Sequence, residues 1–140
     1  MNVLLIEPKY GFEGVSPWIP IGKAHIAAVL RANGFDARII DNALRDYSDA
    51  TLVRAFKEFQ PDVVGTGGMT VQFTDMKRIT RLIRQACPPD VLLVGGGVHL
   101  TLSPEDGLDH FDCVVIGEGE VTFLDSAEEP WFWEDVYRAS

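Results

Sequence analysis

No spacing in this 140-residue sequence marks out side chains paired for covalent or acid–base chemistry. Glu7, His99 and Glu118 are the candidates for proton transfer, which needs a carboxylate or imidazole close to the reacting group. No nucleophile–base pair stands beside them. His25, His99 and His110 lack metal-ligand spacing. The two cysteines, Cys87 and Cys113, suggest neither a disulfide framework nor a cysteine metal site. The stronger signal lies in the backbone. Leu92-Leu93-Val94-Gly95-Gly96-Gly97-Val98-His99 runs an apolar stretch straight into three glycines and a histidine. Each glycine loses extra backbone entropy on folding, so three in succession mark a place where something large approaches the main chain and a Cβ would collide. The chemistry this implies is binding, with the stretch as one wall of a ligand site.

That wall needs a scaffold. Asn2 to Glu7 reads as a first strand, followed by a long loop with Gly11, Gly14, Pro17 and Pro20, then a helix over Ile21 to Ala32 stopped at Asn33-Gly34. Asp36 to Asp41 is a second strand. Ser48 is placed to cap a helix over Asp49 to Gln60, with Leu52, Phe56 and Phe59 as its core stripe. Asp62 to Thr66 is a third strand, and Met76, Ile79 and Ile83 supply the apolar face of the next helix. The fourth strand carries the three glycines. Ser103-Pro104-Glu105-Asp106 then predicts a short capped helix, with Pro104 at its first position. Asp112 to Ile116 is a fifth strand, Cys113 within it reading as a small buried hydrophobe. Val121 to Ala127 starts a last helix. Strand–helix alternation of this kind predicts an α/β fold: a doubly wound, flavodoxin- or Rossmann-like sheet of five parallel strands in the order 2-1-3-4-5, with helices on both faces.

Ligands of such sheets sit beyond the carboxyl ends of the strands. The loops after strands 1, 3, 4 and 5 all carry glycine, and the loop after strand 2 has none. The familiar tenants of the fold fail on chemistry. A receiver domain needs an aspartate after strand 3 and a lysine after strand 5, where this chain has Thr66 and Gly117-Glu118. Lys9, Tyr10, Phe12 and Glu13 make a poor phosphate nest. Gly11-Phe12-Glu13-Gly14 is not the glycine fingerprint of a dinucleotide site. A broad, glycine-lined slot with few charges suits a large, mostly neutral ligand.

The residues around the slot resemble a family. Ile19-Pro20-Ile21-Gly22 with Ala24 to Leu30 and Gly34, Pro61 to Gly65 with Met69-Thr70, Gly95 to His99 with Thr101 and Pro104-Glu105, and above all Asp112 to Glu120 with Thr122-Phe123 are similar to the cobalamin-binding domain at the N-terminus of cobalamin-dependent radical S-adenosylmethionine enzymes. The resemblance implies a corrin ring over the strand ends and a nucleotide tail in the slot. It implies cofactor-binding roles for Glu7, Pro8, Gly22, Gly65, Thr66, Gly67, Met69, Thr70, Gly95, Gly96, Gly97, His99, Gly117, Glu118, Gly119 and Glu120. Gly65, Gly67, Gly95 and Gly96 would make room for the tail, and Thr70 would hydrogen-bond it. Better-known cobalamin modules carry a cobalt-ligating histidine in the loop after strand 1. Here that stretch reads Glu7-Pro8-Lys9-Tyr10-Gly11-Phe12, so no histidine cobalt ligand is expected from it. The three-cysteine motif for an iron–sulfur cluster is missing from these residues.

The expected function is therefore to present cobalamin to a radical S-adenosylmethionine domain outside this chain, with no catalysis by these residues alone. A small-molecule-binding or regulatory module of the same fold is the alternative. The expected division is an α/β domain over 1–127 and a helical tail or linker over 128–140, where Trp131, Phe132 and Trp133 offer a surface for self-association. A net charge of −9 without a basic stripe disfavours nucleic acid. No apolar segment reaches membrane-spanning length, and a cytoplasmic location is expected.

Overall fold

The computed structural model describes residues 1–120 and 122 of the chain. Strands β1 (Asn2–Glu7), β2 (Asp36–Asp41), β3 (Val63–Gly67), β4 (Leu92–Gly96) and β5 (Cys113–Val114) form one parallel sheet in the order β2-β1-β3-β4-β5. Between them run helices α1 (Ile21–Ala32), α2 (Asn42–Arg45), α3 (Asp49–Phe59), α4 (Phe73–Ala86) and α5 (Gly97–Leu102). Successive side chains of a strand point to opposite faces, and β1 fills a core on each. Val3 and Leu5 meet Ala27 and Leu30 of α1. Leu4 and Ile6 meet Leu52 and Phe56 of α3 and Met76, Ile79 and Ile83 of α4. A central strand buried on both faces explains why Val3 to Ile6 read as one continuous apolar run.

Local chemistry sets the ends of the elements. Ser48 accepts the Thr51 N–H at 3.2 Å and caps α3. Gln60 closes that helix in the left-handed region, at φ 51°. Gly34, at φ 89°, turns the chain out of α1.

Three local expectations are corrected. The helix after β4 starts at Gly97 and not at Ser103. Gly97 takes φ 86°, which reverses the chain at once, and the His99 N–H bonds the Gly68 carbonyl at 3.0 Å. The Ser103 side chain makes no capping bond, and Pro104–Gly107 is a single 3-10 turn. The fifth strand, expected over 112–116, pairs with β4 only at Cys113 and Val114. Asp112 stays tied to β4 without strand pairing: its N–H donates to the Leu93 carbonyl at 2.9 Å, while its carboxylate, in place of a backbone carbonyl, accepts the Leu93 N–H at 2.7 Å and a bond from Arg84 at 2.6 Å. The short helix α2 was not expected. Asp41 caps it by accepting the Leu44 N–H at 2.9 Å, and four residues are too few to show a period.

The helix expected over 121–127, the boundary at 127/128 and the tail with Trp131, Phe132 and Trp133 fall in the part of the chain that, apart from Thr122, lies outside the described residues. Among the described residues, no helix is long and apolar enough to cross a membrane.

Candidate functional site

Strand register brings the glycine-bearing ends level. Thr66 pairs with Ile6 on one side and Gly95 on the other, and Gly67 pairs with Gly96. Over these ends, between α1 and the turn at 117–120, lies a slot of about 420 Å³. Leu5, Val94, Val115 and Ile26 give it an apolar lining. That volume holds a nucleoside-sized group; a macrocycle attached to such a group would lie outside it, across the strand ends.

Of the expected site residues, Glu7, Gly22, Gly65, Thr66, Gly67 and Met69 line the slot from the first half of the chain. Gly95, Gly96, Gly97, Gly117, Glu118, Gly119 and Glu120 line it from the second half. Gly117, at φ 81°, donates its N–H to the Thr101 hydroxyl at 3.0 Å, which fixes the turn that carries Glu118 into place. Glu118 is exposed, and Glu120 lies 3.9 Å from His25.

Pro8, Thr70 and His99 are not in the lining. The Pro8 carbonyl accepts a bond from Gln72 at 2.7 Å. The Thr70 hydroxyl is 3.0 Å from His99 Nδ1. The His99 ring is buried against Phe73, with centroids 4.4 Å apart. Its Nε2 lies 3.0 Å from Asp106 Oδ2 but off the direction a hydrogen bond requires, so that contact is electrostatic only. Thr70 and His99 thus hold each other.

The glycines divide into two kinds. A Cβ on Gly95 would sit 2.7 Å from the side chains of Leu100 and Phe111, which belong to the core on the sheet face away from α1. A Cβ on Gly67 would sit 2.5 Å from the Gly96 carbonyl oxygen. The protein's own packing therefore demands a glycine at both positions. Gly96 is different. Its backbone is extended, φ −162° and ψ −162°, a conformation open to any residue. A Cβ there would meet nothing closer than the Val115 oxygen at 3.7 Å. Gly22 has no atom within 4 Å of a built Cβ, although glycine in a helix is costlier than alanine. At these two positions the missing side chain serves the open space and not the packing.

Sequence reasoning missed two polar residues of the slot. Lys23 Nζ lies 2.5 Å from Glu7 Oε2 and donates to the Gly67 carbonyl at 2.7 Å, with both ionic side chains largely buried. Gln72, almost wholly buried, donates to Glu7 Oε1 at 2.8 Å and accepts the Met69 N–H at 3.0 Å. A lysine in the first turn of a helix reads as solvated. The one available signal was its position beside Gly22, facing the end of β1.

The rim is apolar. Trp18 and Ile19 are 75% and 80% exposed, and Val98 and Ile116 are also exposed. These belong to the connections that leave β1, β4 and β5 at their carboxyl ends. A wider and more open cleft lies beside Lys77, Arg84 and His110 at the approach to β5. Its Arg84 is committed to Asp112, and none of the slot-lining glycines reaches it.

Three comparisons bear on the slot. The family model described as the B12 binding domain matches residues 11–126. An uncharacterized methyltransferase of Pyrococcus horikoshii is 33% identical over 107 residues, covering 74% of this chain and 23% of that protein. Cytidylyl-2-hydroxyethylphosphonate methyltransferase of Streptomyces wedmorensis is 32% identical over 124 residues, covering 75% and 23%. The chain thus spans under a quarter of the length of these relatives. In structure, the radical S-adenosylmethionine methyltransferase TsrM of Kitasatospora setae, with cobalamin and a 4Fe–4S cluster bound, superposes with a TM-score of 0.78 at 22% identity, covering 91% of this chain and 26% of that one. The likeness extends to the fold.

Proposed function

This chain belongs to the B12-binding domain family, and from that premise we propose that it holds cobalamin over the carboxyl ends of β1, β3, β4 and β5 and presents it to a radical S-adenosylmethionine domain of a longer protein. The observation that carries this reading is Gly96, a glycine at the slot wall whose missing side chain neither backbone conformation nor packing explains. The slot would take the nucleotide tail. The corrin would lie outside the slot, over the strand ends, where the exposed apolar side chains Trp18, Ile19, Val98 and Ile116 on the following segments suit its hydrocarbon face.

When bound, cobalamin supplies the organometallic chemistry of methyl or radical transfer; the protein supplies binding and orientation. No imidazole comes from the loop after β1. Lys9 occupies the corresponding stretch, and its ammonium is paired with Asp46 at 3.0 Å. A protonated amine has no lone pair for a metal. Cobalamin would therefore be held without a histidine cobalt ligand from this loop. The curated relatives named as methyltransferases, of which the match covers only 23%, support a methyl-transfer partner domain. The two free thiols, Cys87 and Cys113, fit a reducing cytoplasmic setting.

The test is a titration of the purified chain with hydroxocobalamin, followed by visible absorption and calorimetry, alongside Gly96→Leu. Saturable binding that is lost in a folded Gly96→Leu variant is the expected result. Equal binding by both proteins removes the slot from the reading. No binding by the unaltered chain favours a small-molecule module that does not take cobalamin.

A further inference from the structure

We propose that Lys23 is a ligand-contact residue of the slot, donating one ammonium N–H to an acceptor oxygen on the nucleotide tail. This rests on the cobalamin reading above and adds a residue that determines which corrinoid is accepted. An ammonium has three N–H donors. Two are spent, on Glu7 Oε2 and on the Gly67 carbonyl. The third has no protein acceptor among the described residues, and the side chain is largely buried where it borders the slot. An uncommitted N–H on a charged donor in the slot lining is placed to meet an acceptor oxygen of the group that fills the slot.

The surroundings make this donor selective. Glu7 is held from its other oxygen by Gln72, so the ammonium cannot swing away without stripping a buried carboxylate of its partner. The remaining ionisable side chains in the lining, Glu7, Glu118 and Glu120, are acidic. Lys23 is thus the single cation lining the slot among the described residues, and Glu7 already balances its charge. Such a site does not attract small free anions. It rewards a phosphodiester or ribosyl oxygen delivered by a larger neutral group. A corrin amide could offer a similar oxygen, but from the ring outside the slot.

The experiment compares hydroxocobalamin with aquacobinamide, which has the same ring and no nucleotide, by visible titration against the unaltered chain, Lys23→Met and the double variant Glu7→Gln/Lys23→Met. The double variant removes both buried charges together and guards against misfolding of the single one; thermal melts without ligand report folding. Loss of a hydrogen bond from a charged donor predicts a Kd for cobalamin raised about tenfold or more in both variants. Kd for cobinamide stays within about twofold. Equal weakening of both corrinoids places the acceptor on the ring and overturns the proposal, as does unchanged cobalamin affinity in a folded variant. Failure of the unaltered chain to bind either corrinoid overturns instead the reading on which it rests.

Discussion

The carboxylate of Asp75 accepts the backbone N–H of Lys9 at 2.8 Å, so a buried acid on α4 fixes the loop that leaves β1. The same carboxylate receives Asn42 at 3.0 Å and Arg78 at 2.6 Å, and Arg78 continues to Asp49. Burial works to lower the proton affinity of Arg78, yet hydrogen bonds to Asp75 and Asp49 outweigh it and hold it above the usual value. Replacing one partner of such a buried network strands the others. Asp75→Ala is expected to lower stability by about 3–5 kcal/mol in urea unfolding. A loss under about 1 kcal/mol, typical of an exposed ion pair, would show that the network is not holding the loop.

Gly95 and Gly96 are expected to respond in opposite ways to the same substitution. Gly95→Val drives a branched side chain into Leu100 and Phe111 and should cost about 1–3 kcal/mol or more. Gly96→Val meets open space and should unfold within about 1 kcal/mol of the unaltered chain. Parallel urea curves check this directly. Two equally damaged variants would mean that the slot is already filled by the protein.

Burial, aided by the neighbouring Asp112, pushes the Cys113 thiol from 9.0 up to about 12. The unfolded chain then gives up this proton before the folded one does, so the thiol's contribution is intact below pH 9 and is lost as the pH rises toward 12. The stability advantage of the unaltered chain over Cys113→Ala should shrink by about 1.4 kcal/mol per pH unit in that window. A constant difference between pH 9 and 10.5 would contradict it.

The thiols should also differ in reactivity. Burial raises the Cys87 thiol, with Lys57 pulling the other way, and the side chain is only half-buried. Cys113 is fully buried. Labelling with a disulfide reagent at neutral pH should modify Cys87 first and reach Cys113 only on unfolding. Equal rates would show that β5 opens readily.

His99 is expected to matter for stability and not for ligand affinity. His99→Ala removes the Phe73 stack and frees the Thr70 hydroxyl, a loss of about 1–3 kcal/mol. Cobalamin titration of the variant, below its melting range, should return an unchanged Kd. A weakened Kd would return His99 to the site.

Much of this was legible in the residues themselves. Apolar runs ending in glycine located β3 and β4, an apolar run ending at Glu7-Pro8 located β1, and the absence of glycine after β2 agreed with its place at the far edge of the sheet. The site was legible only as a region. Gly95 and Gly96 are chemically identical neighbours, and sequence alone assigns them one role. The two-residue period of a strand points one into Leu100 and Phe111 and leaves the other beside the slot, a distinction that exists only once the facing elements are in place. The Glu7–Lys23 pair was hidden for the same reason: its partners are 16 residues apart and meet only when α1 folds back over β1.

The two-residue ladder of β5 has a consequence for motion. Among the described residues, the slot wall from 115 to 120 is tied to the sheet by the Asp112 N–H on the Leu93 carbonyl, the Cys113–Val114 ladder and the Val115 N–H on the Gly95 carbonyl at 2.8 Å, and to α5 by the Gly117 N–H on the Thr101 hydroxyl. On the other side of the slot, β1 is laddered along its length to both neighbours. Segments with so few backbone ties exchange their amide hydrogens through local opening long before the sheet as a whole unfolds. Among the described residues, the edge at β5 is thus the less laddered side of the slot and β1 the more laddered one. Occupancy of the slot would register first as slowed deuterium uptake at residues 113–117, with Val3 to Ile6 unchanged.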